Sequence, residues 1–309
     1  MSEQRVVFGF GAHSTVDDGP ELLRMTEQAD RDGLDIFSLS DHPYLGGRLD
    51  ANATIGFILG RTQHIAGFAN VTNLPTRPAP MLARTVTSLS ALSGGRIVLG
   101  AGAGGLWDRI AAMGVPRLSP GEAVEAFEES IVLIKKLSGG GPPVTYRGRH
   151  YQVDQLEPAP VAAPEVWTGS VGPKSLAATG RVADGWIPGH AADWRSERYR
   201  ASRPIIDEAA AAVGRDPREI RTVFNFPGRI TDRPLTNTRN ADGRWVGGSA
   251  GQWIEELTEA VLEHRASGFI LFSPAGGTQD SISLGRWANE IVPAVREAIT
   301  KETVSARRP

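Results

Sequence analysis

The sequence predicts an α/β fold, a single (β/α)8 barrel with an insertion before its fifth strand. Three observations carry this. Eight short apolar or β-branched runs alternate with helical patterns, the arrangement of parallel βα units. The stretch Arg96–Gly105, RIVLGAGAGG, reads as a buried strand opening into a loop stripped of side chains. The residues best able to do chemistry fall at or just past predicted strand ends, the face on which such barrels carry their active sites.

Arg5–Gly11 is the first strand. Pro20–Gly33 is a helix: Pro20 suits the first turn, Leu22, Met25 and Ala29 share a face, and Gly33 stops it. Asp35–Ser40 is the second strand and runs into Asp41-His42-Pro43. Asn52–Arg61 is an apolar helix. Ile65–Leu74 is the third strand, its loop closed by Pro75, Pro78 and Pro80. Met81–Leu92 is the third helix, Arg96–Ala101 the fourth strand and Glu122–Leu137 the fourth helix. Ser138–Pro164 interrupts the rhythm with a SGGGPP linker, a VTYRGRHYQV hairpin turning at Arg147-Gly148, and an extended PAPVAAP. The alternation then resumes. Glu165–Thr168, Gly185–Pro188, Ile220–Phe226 and Phe269–Ser273 are strands; Pro173–Val182, Arg195–Val213, Ala250–Arg265 and Ile282–Ile299 are helices. Thr231–Gly248 reads as a long polar loop. Residues 1–300 form one domain, and Lys301–Pro309 a charged, frayed tail.

Composition narrows the function. The 309 residues carry 33 Lys and Arg against 35 Asp and Glu, with no basic block. That argues against nucleic acid or an anionic membrane as partner. No cysteine is present, which excludes a disulfide scaffold, a cysteine nucleophile and a thiolate metal site, and fits a cytoplasmic protein. The N-terminus has no signal-peptide pattern, and no segment is apolar for long enough to span a bilayer. Neither H-E-x-x-H nor EF-hand spacing occurs, so no metal is expected.

The barrel rule selects His13, Asp41, His42, Asn70, Gly102, Ala103, Gly104, Gly105, Gly169–Gly172, His190 and Asn225 as candidates. Gly100, Gly102 and Gly105 do spell G-x-G-x-x-G. A dinucleotide fold, however, needs a helix opening inside the motif and an acid ending the next strand. Pro116 and Pro120 punctuate the segment after the glycines, and Glu122 opens a helix instead. His64, His150 and His264 read as structural or solvated.

Several motifs resemble the bacterial luciferase-like flavin and deazaflavin oxidoreductases. They are TSLSALSGGRIVLGAGAGG, the strand-end SDHP, LPTRPAPMLAR, VWTGSVGPKSLAATGRVADGWIPG and the insert VTYRGRHYQVD. The similarity runs from Val6 to about Ile299. It implies a (β/α)8 barrel holding the deazaflavin coenzyme F420, or alternatively FMN, at the strand mouths. Ala69-Asn70-Val71 would be a strand-three bulge behind the ring system, with a non-proline cis peptide at Asn70–Val71. Gly102, Ala103 and Gly104, in the glycine-rich mouth that lets a flat or phosphorylated ligand approach the backbone, are the other cofactor-binding candidates. Gly169, Ser170, Val171 and Gly172 would take the cofactor phosphate, with His190 near phosphate or substrate. Asp41 and His42 match the Asp-His pair of the deazaflavin members, His42 as base or acid, with Asp41 raising its pKa.

The chain also departs from that pattern. Sugar-phosphate and alcohol dehydrogenases of the family place a Glu after the glycine loop; here the position is Gly105. Asp108 or His13 would then supply the acid. Trp107, Phe10, Trp186 and Phe226 suggest an apolar pocket, and Arg77, Arg181 and Lys174 a cationic groove for the oligoglutamate tail of F420. The expected activity is F420-dependent hydride transfer to or from a small organic substrate. The alternatives are an FMN-dependent monooxygenase fed by a partner flavin reductase, and a non-catalytic flavin-binding protein. The resemblance also implies a homodimer.

Overall fold

A computed structural model describes residues 5–189, 192–274 and 279–306. The strands are β1 (Val7–Ala12), β2 (Ile36–Leu39), β3 (Ala66–Ala69), β4 (Thr72–Asn73) and β5 (Leu99–Gly102), then the hairpin β6 (Val144–Arg147) and β7 (Gln152–Leu156). After these come β8 (Val166–Thr168), β9 (Gly185–Trp186), β10 (Arg221–Pro227), β11 (Arg229–Thr231), β12 (Gly247–Ser249) and β13 (Gly268–Phe272). Nine of them make one parallel sheet in the order β3-β2-β1-β13-β10-β9-β8-β5-β4. A parallel bridge from Gly67 in β3 to Ile97, in the run leading into β5, brings the ends of the sheet together and nearly closes the ring. The helices are α1 (Gly19–Arg31), α2 (Ala51–Leu59), α3 (Ala79–Ser93), α4 (Trp107–Ala112), α5 (Pro120–Lys136), α6 (Pro173–Val182), α7 (Glu197–Ala212), α8 (Ala250–His264), α9 (Ser281–Arg286) and α10 (Val292–Ala306).

The expected (β/α)8 barrel is therefore observed, with local differences. The third strand is not continuous over Ile65–Leu74. Residues 70 and 71, joined by a cis peptide, leave the ladder between β3 and β4. Leu106–Pro116 contains a helix, α4, too short to leave a periodic signature. The polar stretch before α8 is flanked by a small parallel pair, β11 and β12. The last helix is three segments, with a π-helical turn at Trp287–Ile291 between α9 and α10. Its final segment carries Lys301–Ala306 as helix where a frayed tail was expected.

The barrel interior is filled. Ile36, Phe68, Trp167, Val223 and Ile270, on five different strands, form one buried cluster, and Phe68 meets Trp167 edge-on at 5.3 Å. The mouth therefore has a solid floor. At the opposite, N-terminal face, polar groups tie strand starts to helix ends. Asp30 accepts from the backbone N–H groups of Gln63, His64 and Ile65 at 2.7–2.8 Å. Arg96 donates to Leu59, Thr62, Ile65 and Ser93 carbonyls. Buried Arg203 donates to the Pro217 and Ile220 carbonyls.

Candidate active site

The loops after β1 and β2 pair over one side of the mouth. Val16 N–H donates to Gly47 O, Leu49 N–H to Ser14 O, and Thr15 bridges Arg48. Asp41 leaves β2 just before Pro43, which has no N–H to continue a ladder. Its side chain, 1 % exposed, accepts from Asn73 N–H at 2.9 Å and from Arg77 Nε and Nη2 at 3.0 and 2.7 Å. Arg77 also reaches Asp50, the N-cap of α2, at 2.7 Å. Burial opposes the Arg77 charge, yet the carboxylates of Asp41 and Asp50 hold its pKa above the ordinary value. Arg77 is thus a clamp inside the β2 loop rather than a groove residue.

His42 is half-buried, and its Nδ1 lies 2.8 Å from the Tyr44 hydroxyl. The Asn73 side chain, close by, favours the ionised form of that hydroxyl, but burial outweighs it and pushes the Tyr44 pKa up. Asp41 does not touch the imidazole through a hydrogen bond; it is engaged by Arg77 and Asn73. Burial and the Arg48 charge push the His42 pKa down, and the opposing Asp41 contribution is smaller. The expected upward shift is therefore reversed. His13, half-buried at the end of β1, is lowered by burial and by Arg48, against Asp18.

Asn70 donates through Nδ2 to Asn225 Oδ1 at 2.8 Å and to Ser38 Oγ at 3.3 Å, linking three strand ends across the mouth. The glycines beside it serve close backbone approach. A Cβ at Gly100 would sit 1.9 Å from Ala69 O, and one at Gly102 would sit 2.7 Å from Val71 Cγ2. Gly104, at φ +89°, has Pro75 against it.

Gly169–Gly172 leads into α6, whose N-cap, Gly172, makes no side-chain hydrogen bond to the first turn. A cavity of about 310 Å³ lies here, lined by Gly104, Trp107, Gly169, Ser170, Val171 and Ser175 among others. Ser170 is buried, its hydroxyl accepting from Thr179 and its carbonyl from Trp186 Nε1. Trp107 and Ala103 also line a second, mainly apolar cavity of about 250 Å³, which runs towards Phe127 and Tyr151.

Other candidates lie elsewhere. The Asp108 side chain is 96 % exposed and pairs with Arg117. Arg181 is held by both oxygens of Glu128 at 2.6–2.7 Å, and Lys174 is exposed. Phe10, Trp186 and Phe226 are core residues, so of the four aromatics only Trp107 lines a cavity. Gly105 is exposed beside the mouth loop. His190 lies outside the described residues. Glu259, Glu263 and His264 bring ligand atoms within 4.8 Å of one another, but at the C-terminal end of α8 and with Glu259 already paired to Arg195. Sequence reasoning missed Tyr44 as the partner of His42, and Arg48. Their only signal was proximity to the Asp-His pair.

The sequence pattern of luciferase-like monooxygenases matches residues 6–299. The chain belongs to that family. A relative of this luciferase-like chain is the F420-dependent glucose-6-phosphate dehydrogenase of Nakamurella multipartita, 25 % identical and covering 97 % of this chain and 99 % of that protein. Two solved structures share the fold. One is an F420-dependent secondary alcohol dehydrogenase in complex with an F420-acetone adduct, with TM-score 0.77, 17 % identity, and 94 % of this chain and 99 % of that one covered. The other is the EDTA monooxygenase of Chelativorans sp. BNC1, with TM-score 0.74, 16 % identity, and 95 % and 94 % covered.

Proposed function

We propose that this luciferase-like protein is an F420-dependent oxidoreductase, moving a hydride to or from a small organic substrate. The observation that carries this reading is the placement of His42, held by Tyr44 on one side of a mouth whose other side is the glycine-walled cavity at the start of α6. The full-length similarity to an F420-dependent dehydrogenase supports it. The cavity suits a phosphate: the first-turn N–H groups of α6 have no side-chain cap, and the helix dipole favours an anion there. Gly169, Val171 and Gly172 would hold that phosphate through backbone donors, with Ser170 supporting the loop from below. Ala69, Asn70 and Val71 would back the ring system, with Gly102, Ala103 and Gly104 along its edge.

The deazaflavin, when bound, supplies the carbon that gives or takes the hydride. His42 handles the proton. Its lowered pKa keeps it neutral near pH 7. The Tyr44 hydroxyl both donates and accepts, so it can hold the neutral imidazole with Nε2 bare, as the base that takes the substrate proton, and hold the imidazolium that returns it in the reverse direction. Asp41 acts at one remove, fixing the loop that carries His42.

A second reading, an FMN-dependent monooxygenase served by a flavin reductase, is favoured by the family match and by the likeness to EDTA monooxygenase. Parallel titrations of tryptophan fluorescence with F420 and FMN test the two. Saturable quenching by F420, with none by FMN at the same concentrations, is expected; the converse establishes the second reading. Among the described residues no helix is long and apolar enough to cross a membrane. The cysteine-free composition suits a cytoplasmic location, and exposed Phe57, Met81 and Leu92 on or beside α2 and α3 suit a homodimer face.

A further inference from the structure

Arg48 stands apart from the other arginines. Among the described residues, every other arginine that is buried or half-buried has a protein acceptor. Arg77, Arg181, Arg239, Arg286 and Arg296 meet carboxylates, while Arg84, Arg96 and Arg215 meet backbone carbonyls. Arg203 and Arg221 meet both. The half-buried Arg48 guanidinium has none, and its Nη1 is buried without a hydrogen-bond partner. Its backbone is nevertheless fixed, by the bridge to Thr15 and by its own N–H to Leu45 O. A guanidinium with no ion-paired or hydrogen-bonded acceptor, between the β1 and β2 loops and with Asp18 and Asp41 acting only at a distance, is a site prepared for an anion from outside the chain.

The position says which anion. Arg48 lies close enough to both His13 and His42 for its charge to act on each. It sits beyond β1 and β2, across the barrel from the β8–α6 loop proposed for the cofactor phosphate. The group it receives is therefore distinct from that phosphate and lies within electrostatic reach of the proton-handling histidine. We propose that Arg48 binds an oxyanion of the substrate, a carboxylate, and so makes this a dehydrogenase or reductase of small organic acids. Planar, forked N–H donors match a carboxylate in two-point contact, which would fix the reacting carbon relative to His42. The substrate class rests on the hydride-transfer reading; the anion site does not.

The test uses matched pairs, benzoate with benzamide and phenylacetate with phenylacetamide, titrated calorimetrically against the F420-loaded protein. The cofactor's own phosphate site is then filled. The charged member of each pair should bind about tenfold to a hundredfold more tightly, the worth of a charge-assisted bond. Arg48→Gln should abolish the preference while leaving F420 affinity unchanged, and Arg48→Lys should keep part of it. No binding, equal binding of charged and neutral members, or a preference that survives Arg48→Gln overturns the proposal. If F420 does not bind, the cofactor reading fails by itself; the same pairs are then titrated against the FMN-loaded or cofactor-free protein, and the anion site stands or falls on that result.

Discussion

The Tyr44 hydroxyl stands 2.8 Å from Nδ1 of His42, so the partner of the imidazole is a neutral residue two positions on, not the adjacent Asp41. A phenol orients the ring without fixing its charge. Tyr44→Phe should therefore leave F420 bound and lower kcat by roughly fivefold to tenfold, the worth of one hydrogen bond. His42→Ala should also keep the cofactor but slow turnover by roughly 10²–10⁴-fold. Fluorescence titration and steady-state kinetics on both variants check this; loss of cofactor from His42→Ala would make His42 a binding residue instead.

Arg77 joins Asp41 to Asp50 and thereby the β2 loop to the start of α2. Removing it leaves the Asp41 carboxylate buried with one backbone donor. Arg77→Met should cost about 3–5 kcal/mol in urea denaturation. Adding Asp41→Asn to it should recover part of that loss, because the uncompensated charge goes. A cost under 1 kcal/mol would mean the pair is solvated.

His13 and His42 both have folded pKa values below the ordinary imidazole value of about 6.5. As pH falls through that value the unfolded chain takes up protons before the folded one. Stability contributed by the neutral histidines is thus present above about 6.5 and is lost on acidification towards their folded pKa values. Denaturation midpoints at pH 7.5, 6.5 and 5.5 should decline in the wild type, and decline less in a His13→Gln, His42→Gln double variant. Parallel slopes would contradict the downward shifts.

Gly100 has no room for a methyl group, because its Cβ would overlap Ala69 O at 1.9 Å. Gly100→Ala must push β5 away from β3, where the ring closes. A loss of about 3 kcal/mol is expected in thermal or urea unfolding. Gly105, where nothing lies within 4 Å, provides the control: Gly105→Ala should unfold like the wild type.

The barrel was legible because its signals are local: Pro20, Gly33, Gly94 and the Pro173 helix start each act within a few residues. Asn70–Val71 came through family likeness, since residues 65–74 read as one apolar run. The six-residue α4 has too few turns for a hydrophobic period. What the sequence could not supply was pairing at a distance. Arg77 looks like a free surface cation until Asp41, 36 residues earlier, is brought beside it. Phe10 and Phe226 look like pocket walls until strand pleat turns them into the core. Arg48 carries no motif, and its significance is a missing neighbour, which only a folded chain can reveal.

Asp30, Arg96 and Arg203 work at the end of the barrel away from the mouth, where they bind carbonyl and amide groups that any sequence would present. Main-chain groups survive every side-chain replacement except one to proline, which removes an N–H. The strand-end loops, Gly105 and Arg48 among them, can therefore differ without disturbing these ties. A scaffold anchored in this way can change its rim without loosening its base.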